Sequence, residues 1–254
     1  MKLNIGCGHK IMLDIILRTC SRYESQVHAG SRIHPKNDVL IRCLKSLRNS
    51  IHGANCPEIK LAIIDDHSDS HIAEGLQKSC DVFISLDNST GNSASLHAVY
   101  DYAKESCSDL IYFVEDDYLH ELGAIQEMID FYYLAKDKLP GRELAIHPVD
   151  YPDRYRSECL DQCFIVPGKN RYWRTIGSTT GTFFVSRWVF LRYWHLFNQF
   201  ADCGSEEQTI NKIWRGINGV NCFSPIPTLA YHLQAEENLP LYSDYKPLWD
   251  NSQC

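Results

Sequence analysis

Three consecutive carboxylates, Glu115, Asp116 and Asp117, follow directly on the apolar run Leu110 to Val114 and precede Tyr118. A short apolar run of this kind reads as a buried strand, so the three acids are presented where a strand leaves the core. Open α/β sheets bind their ligands at the C-terminal ends of strands. Hard cations such as Mg²⁺ or Mn²⁺ take oxygen ligands there and leave positions open for phosphate. The triplet therefore points to a metal-assisted site for a phosphorylated ligand, and the alternative is a solvated acidic turn.

The flanking segments supply the elements that would hold such a site. Leu13 to Leu17, interrupted by Asp14, reads as a strand, and Asn37 to Asn49 carries Val39, Leu40, Cys43, Leu44 and Leu47 at helical spacing. Ile59 to Ile64 is a second strand ending in Asp65-Asp66-His67-Ser68; a helix over Ile72 to Ser79 and a strand over Val82 to Leu86 follow. Next come the turn-rich stretch Asp87 to Ser93, a helix over Ser95 to Glu105, the acidic-ended strand, and a helix over Leu122 to Lys136. Strands alternating with helices imply an α/β fold with a mostly parallel central sheet covered on both faces.

Pro140 and Gly141 mark a soft boundary between residues 1–140 and 141–254, read as two halves of one continuous domain. Beyond it, short strands are expected over Glu143 to His147, Cys163 to Val166 and Thr182 to Val185. A helix is expected over Ser205 to Arg215, opening on Glu206 and Glu207, and the tail from Pro225 reads as loop. In Arg187 to Phe200, Trp188, Leu191, Trp194 and Leu196 read as a core stripe, with peripheral membrane contact as the alternative.

With 254 residues the chain can bury a full core. A net charge of -7 argues against a nucleic-acid polymer as partner, which calls for clustered Lys and Arg. Eleven cysteines, an odd number with no CxxC pair, read as reduced thiols rather than a disulfide framework or thiolate zinc site, which suits a cytoplasmic location. No stretch reaches the ~18 to 20 apolar residues of a transmembrane segment. Leu3 to Gly8 ends in Gly6-Cys7-Gly8, like the cofactor loop of S-adenosylmethionine-dependent methyltransferases. The next strand begins near Leu13, which leaves no room for the helix such a loop must open.

Four features stand in the order of one family. The first strand ends Ile16-Leu17-Arg18-Thr19-Cys20-Ser21-Arg22, the second ends Ile63-Ile64-Asp65-Asp66-His67-Ser68-Asp69, Gly91-Asn92-Ser93 opens a helix, and Glu115-Asp116-Asp117 closes the next strand. In this the chain resembles glycosyltransferases of the GT-A fold, a Rossmann-like nucleotide-diphospho-sugar transferase fold, and among them the inverting family 2 type, over roughly residues 11 to 235. The resemblance implies a metal-dependent transfer of a sugar from a nucleotide-diphosphate sugar donor to a saccharide or glycolipid acceptor.

The residue roles are what the resemblance implies. Asp66 reads the base, whose imide N–H suits a carboxylate, with Arg18, Thr19, Asp65, Gly91 and Asn92 around the same pocket. Asp117 is the first choice as ligand for Mn²⁺ or Mg²⁺, His232 completes the metal shell, and Glu115 and Asp116 reach ribose or sugar. Glu206-Glu207 occupy the place of the general base, with Glu207 the preferred one; the family's usual Asp there is replaced by the longer Glu. Trp173, Arg174, Thr180 and Gly181 fall on the acceptor side, Trp173 either as a stacking platform for sugar or as core. The segment from His147 to Tyr155 has the composition of a functional loop but gains no role. His67 stands where the family has glycine, in a turn where glycine is easiest.

Two rivals carry their own signatures. A catalytically silent nucleotide- or carbohydrate-binding module would lose the metal motif or the base, and both survive here. A sugar nucleotidyltransferase would carry a glycine-rich basic loop after the first strand, where this chain has Arg18 to Arg22.

Overall fold

The structure is a computed structural model that describes residues 12–22, 33–56, 58–86, 91–156, 162–215 and 219–252. The Gly6–Gly8 loop lies outside the described residues. Strand and helix alternate through the first half: β1 (Met12–Thr19), α1 (Lys36–His52), β2 (Glu58–Asp65), α2 (Ser70–Gln77), β3 (Val82–Ser85), α3 (Asn92–Ser106), β4 (Leu110–Glu115). A short β5 (Tyr118–His120) and α4 (Ala124–Lys138) follow. The second half carries β6 (Glu143–Ile146), β7 (Ile165–Pro167), β8 (Tyr172–Ile176), β9 (Phe183–Ser186), α5 (Arg187–Arg192), α6 (Trp194–Cys203) and α7 (Asn211–Trp214). It closes with β10 (Val220–Ile226), β11 (Ala230–His232) and α8 (Lys246–Asn251).

The nine-stranded sheet has the order β3-β2-β1-β4-β9-β6-β10-β8-β7, in which β8 and β9 run against the rest. Its first four strands are parallel, so the ends of β1, β2 and β4 fall side by side: Thr19 pairs with Asp65, and Arg18 with Glu115. The sheet runs unbroken past Pro140, because β9 returns to lie between β4 and β6.

Alternation puts successive strand residues on opposite faces. Leu110, Tyr112 and Val114 of β4 join one core layer with residues of α1, α2 and α4. Ile111 and Phe113 join the other with residues of α3, α5, α6 and α7. Near-continuous apolar strands buried on both faces are what a covered parallel sheet needs. The described cysteines, Cys20, Cys43, Cys56, Cys80, Cys107, Cys163, Cys203 and Cys222, are free thiols. No helix among the described residues is long and apolar enough to cross a membrane.

Three sequence expectations change in the second half. Arg187 to Phe200 is not one helix: Tyr193 (φ -106°, ψ 21°) separates α5 from α6, and the buried stripe is Val189, Phe190, Tyr193, Phe197 and Phe200. Trp188, expected in the core, is 52% exposed, with the Arg192 guanidinium 4.8 Å from its ring centre. Ser205 to Arg215 is mostly turn, and helix is confined to Asn211–Trp214. Hydroxyls compete with the helix ladder there: Thr209 Oγ1 donates to the Ser205 carbonyl at 2.6 Å, and the Asn211 N–H reaches back to the Glu206 carbonyl at 2.9 Å.

The tail is also more structured than the loop its prolines suggest. β11 pairs antiparallel with β5, His232 opposite Tyr118, and Trp249 and Tyr245 pack with Val39, Cys43 and Leu119.

Candidate active site

The site grows from two clamped loops. After β1, the Ser21 N–H donates to Ser68 Oγ at 2.9 Å, and the Asp69 N–H donates to Ser21 Oγ at 2.8 Å, which ties the loop after β1 to the loop after β2. Asp65 is consumed in this clamp: its Oδ1 accepts from Thr19 Oγ1 at 2.7 Å and Ser68 Oγ at 2.6 Å, and its Oδ2 from the Ser68 N–H at 3.1 Å. Asp65, at 1% exposure, therefore shapes the turn instead of facing the cleft, and the same bond turns the Thr19 hydroxyl inward.

Asp66 is the residue the clamp delivers to the cleft. Its Oδ2 accepts the Gly91 N–H at 2.9 Å and its Oδ1 lies 2.8 Å from His67 Nδ1. His67 holds φ 61°, the left-handed conformation expected where the resemblance places glycine, at a cost of about 1–2 kcal/mol. Gly91, at φ 99°, precedes α3 and uses the freedom only glycine has.

Arg18 and the acidic triplet form the floor. One Arg18 nitrogen donates to Glu115 Oε1 at 2.7 Å, and the other meets Asn92 Oδ1 and, at 3.2 Å, Ser95 Oγ. Asp116 accepts the Cys20 N–H at 3.0 Å and pairs with Lys36 of α1. Gly181 is bare because Glu115 occupies the space: an added Cβ would lie 2.9 Å from the carboxylate. Together Arg18, Asp66, Gly91, Asn92, Glu115, Asp116 and Asp117 line a cleft of ≈ 290 Å³.

Asp117 and His232 meet at one corner of this cleft, His232 Nε2 3.4 Å from Asp117 Oδ2. The pairing of β5 with β11 brings these residues, 115 positions apart, together. Burial opposes ionisation of Asp117, but His232, Lys36 and Arg18 more than offset it and hold its carboxyl far below the usual carboxylate range. Burial likewise opposes protonation of His232, and Asp117 and Glu115 reverse that and raise it.

Asp117 Oδ1 is buried and has no hydrogen-bond partner among the described residues. A buried acceptor left unpaired costs about 1–3 kcal/mol, so this atom is suited to a cation. No group of three or more His, Cys, Asp or Glu among the described residues is arranged to hold a metal. A carboxylate with one imidazole nonetheless fits Mn²⁺ or Mg²⁺, which is commonly held by one or two protein ligands plus the oxygens of substrate phosphates.

The two glutamates differ sharply. Glu207, the preferred base on sequence grounds, is exposed and paired with Arg215, which lowers its pKa. Glu206 is half-buried; burial raises its pKa against its own backbone N–H, and the Glu115 charge raises it further. The turn at residues 206–210, in place of the expected helix, gives the two neighbours these different surroundings.

On the acceptor side, Trp173 is core: it is 1% exposed and stacks on Phe131 with ring centres 4.1 Å apart. Arg174 is also buried, donating to Asp150 at 2.7 Å beneath the Tyr155 ring, 4.3 Å away. Neither lines the donor cleft. Thr180 does reach the Asp117–His232 corner, through a 2.6 Å bond to Tyr118 Oη, whose ring stacks on His232.

Lys36, Ser95, Tyr151 and Gln234 take part in this site without having been singled out in the sequence. For Ser95 a signal existed, four residues after Gly91 on the first turns of α3; the others are placed by tertiary packing alone.

Residues 33–192, more than half of the chain, match the family described as glycosyl transferase family 2. No curated protein matches the chain in sequence. Among solved structures, TarS 1-349 of S. aureus is similar at 13% identity and a TM-score of 0.48, over 84% of this chain and 60% of that one. A Bacillus anthracis protein assigned as a glucose-1-phosphate thymidylyltransferase, in complex with sucrose, is similar at 12% identity and a TM-score of 0.50, over 95% of each chain. Glucosyl-3-phosphoglycerate synthase from Mycobacterium tuberculosis, in complex with Mg²⁺ and UDP, is similar at 8% identity and a TM-score of 0.46, over 87% of this chain and 71% of that one. The chain thus spans about 60% of the TarS fragment's length.

Proposed function

The chain belongs to glycosyl transferase family 2, and from that premise we propose that it is a metal-dependent inverting glycosyltransferase that moves a sugar from a nucleotide-diphosphate sugar to a hydroxyl of a saccharide or glycolipid acceptor. The observation that carries this reading is the corner where the buried, unpartnered Asp117 Oδ1 and the His232 imidazole adjoin the cleft bearing Arg18 and Asp66.

Asp66 accepts from the base, and its two existing partners, Gly91 and His67, fix the carboxylate plane for that contact. Arg18, held by Glu115 and Asn92, lies beneath the ribose and diphosphate. Asp117 and His232 would hold Mn²⁺ or Mg²⁺, which when bound would supply positive charge against the leaving diphosphate. Glu206 is the general base: it takes the proton of the acceptor hydroxyl as that oxygen attacks the anomeric carbon from the face opposite the diphosphate. A carboxylate whose pKa is raised by burial is a better proton acceptor than one held low by an arginine, which favours Glu206 over Glu207.

The nucleotidyltransferase reading gains nothing from the Bacillus anthracis neighbour, because likeness at 12% identity shows the fold alone.

The test is release of nucleoside diphosphate from a panel of UDP-, GDP- and dTDP-sugars, with Mn²⁺ and with EDTA. Release from one class of donor that requires Mn²⁺ and rises with a saccharide acceptor is expected. Formation of pyrophosphate from a nucleoside triphosphate and a sugar 1-phosphate instead would overturn the transferase reading.

A further inference from the structure

A file of hydroxyls leads away from the metal corner. His232 Nδ1 lies 2.7 Å from Tyr151 Oη, which lies 3.0 Å from Tyr118 Oη, which lies 2.6 Å from Thr180 Oγ1. Thr180 Oγ1 also accepts the Thr182 N–H at 3.3 Å. The imidazole plane is fixed by the Tyr118 ring, stacked on it at 4.5 Å and 15°. Tyr151 is fixed in turn by His147, stacked at 5.3 Å and anchored through Nδ1 to the Thr182 carbonyl at 2.7 Å.

Each hydroxyl donates one proton and accepts others, so the file can run outward from His232: Nδ1–H to Tyr151, Tyr151 to Tyr118, Tyr118 to Thr180. In that sense the imidazole is neutral and its lone pair is on Nε2, the nitrogen beside Asp117 Oδ2. At Nε2, 3.4 Å from Asp117 Oδ2, a divalent cation would take the place of the proton that this pair otherwise shares. A phenol that accepts from the remote nitrogen of a ligand histidine fixes its tautomer and ring orientation, as carboxylates and carbonyls do in other metal sites.

The geometry points to Tyr151 as a positioning residue, whose hydroxyl accepts the Nδ1 proton of His232 and so presents Nε2 as the second metal ligand beside Asp117. Tyr118 and Thr180 continue the same file and orient the Tyr151 hydroxyl. This gives a role to Tyr151 within the His147 to Tyr155 segment, and it rests on the metal reading above.

The test is Mn²⁺ binding, followed by loss of the free-ion paramagnetic resonance signal, with Mn²⁺ alone and with UDP. It is run on the wild type, His232→Ala, Tyr151→Phe and Tyr118→Phe, each shown folded by its melting transition. Tyr151→Phe is expected to weaken Mn²⁺ binding by about 10- to 100-fold, and Tyr118→Phe by less, because it leaves the direct partner of Nδ1 in place. Imidazole ¹⁵N shifts of the metal-free protein, at a pH where His232 is neutral, supply a readout that a packing role would not move: His232 should carry its proton on Nδ1 in the wild type, and lose that preference in Tyr151→Phe. Wild-type Mn²⁺ affinity and an unchanged tautomer in Tyr151→Phe overturn the assignment alone. A wild type that binds no Mn²⁺, or whose affinity survives His232→Ala, overturns the metal reading and this assignment with it.

Discussion

The parallel half of the sheet and the mixed half build the site by different means. In the parallel half, β1, β2 and β4 end side by side, so Arg18, Asp66 and the acidic triplet reach one cleft by following their strands out of the core. In the mixed half, Gly181, Glu206 and His232 come from a loop, a turn and the two-stranded sheet that β11 makes with β5. The difference teaches that Arg18, Asp66 and the acidic triplet are positioned by strand register, whereas Glu206 and His232, the proposed base and second metal ligand, are positioned by contacts between distant segments. Substitutions in the mixed half should therefore separate chemistry from nucleotide binding.

The largest effect expected is on Glu206. Glu206→Gln should lower kcat by about 10²- to 10⁴-fold with little change in nucleotide affinity, while Glu207→Gln, at an exposed ion pair, stays within a few-fold of wild type. Steady-state transfer rates and nucleotide titrations check both, and the reverse ranking would restore the base expected on sequence grounds. Trp173→Ala should cost about 3–5 kcal/mol of stability, as truncation of a buried aromatic does. Well below its melting temperature it should bind nucleotide like the wild type, whereas lost affinity for acceptor with intact stability would return Trp173 to the acceptor side.

Gly181→Ala joins the two halves, because its Cβ would meet the Glu115 carboxylate at 2.9 Å. It should destabilise by about 1–3 kcal/mol and weaken nucleotide binding through Arg18, as thermal unfolding and titration would show. The smallest effect is in the pH profile. Burial raises the Glu206 pKa, so its carboxylate form is lost as pH falls through a value above the ordinary glutamate range. The acid limb of kcat should lie correspondingly high and be absent from Glu206→Gln, and a limb in the ordinary range would speak against Glu206.

How much of this was legible in the sequence follows the same division. Strand residues such as Leu110 to Val114 are apolar because both faces are covered, so β1, β2 and β4 and the acids ending them stand out from their neighbours. Family resemblance reached His232, but nothing local marks it: the pairing of Tyr118 with His232 brings it to Asp117. Periodicity misplaced the stripe of Arg187 to Phe200 because Tyr193 breaks the helix and resets the phase. The resemblance favours Glu207 by its place in the family's acid pair, whereas the turn that Thr209 helps to hold leaves Glu207 exposed beside Arg215 and Glu206 half-buried, a difference that no local pattern displays. Tyr151 and Lys36 act through partners 81 and 80 residues away, a relation that one sequence does not display.

The measurement that bears most directly on the donor corner is a thermal-shift titration with nucleoside diphosphates, with and without Mn²⁺, on the wild type and Asp117→Ala. Ligand binding to the native state raises the melting temperature with the logarithm of ligand concentration over its dissociation constant. The expected result is a shift by one nucleoside diphosphate that requires Mn²⁺ and disappears in Asp117→Ala. A shift that is the same without Mn²⁺ and persists in Asp117→Ala would contradict a metal at Asp117. No shift with any nucleotide but one with S-adenosylmethionine would contradict the site altogether.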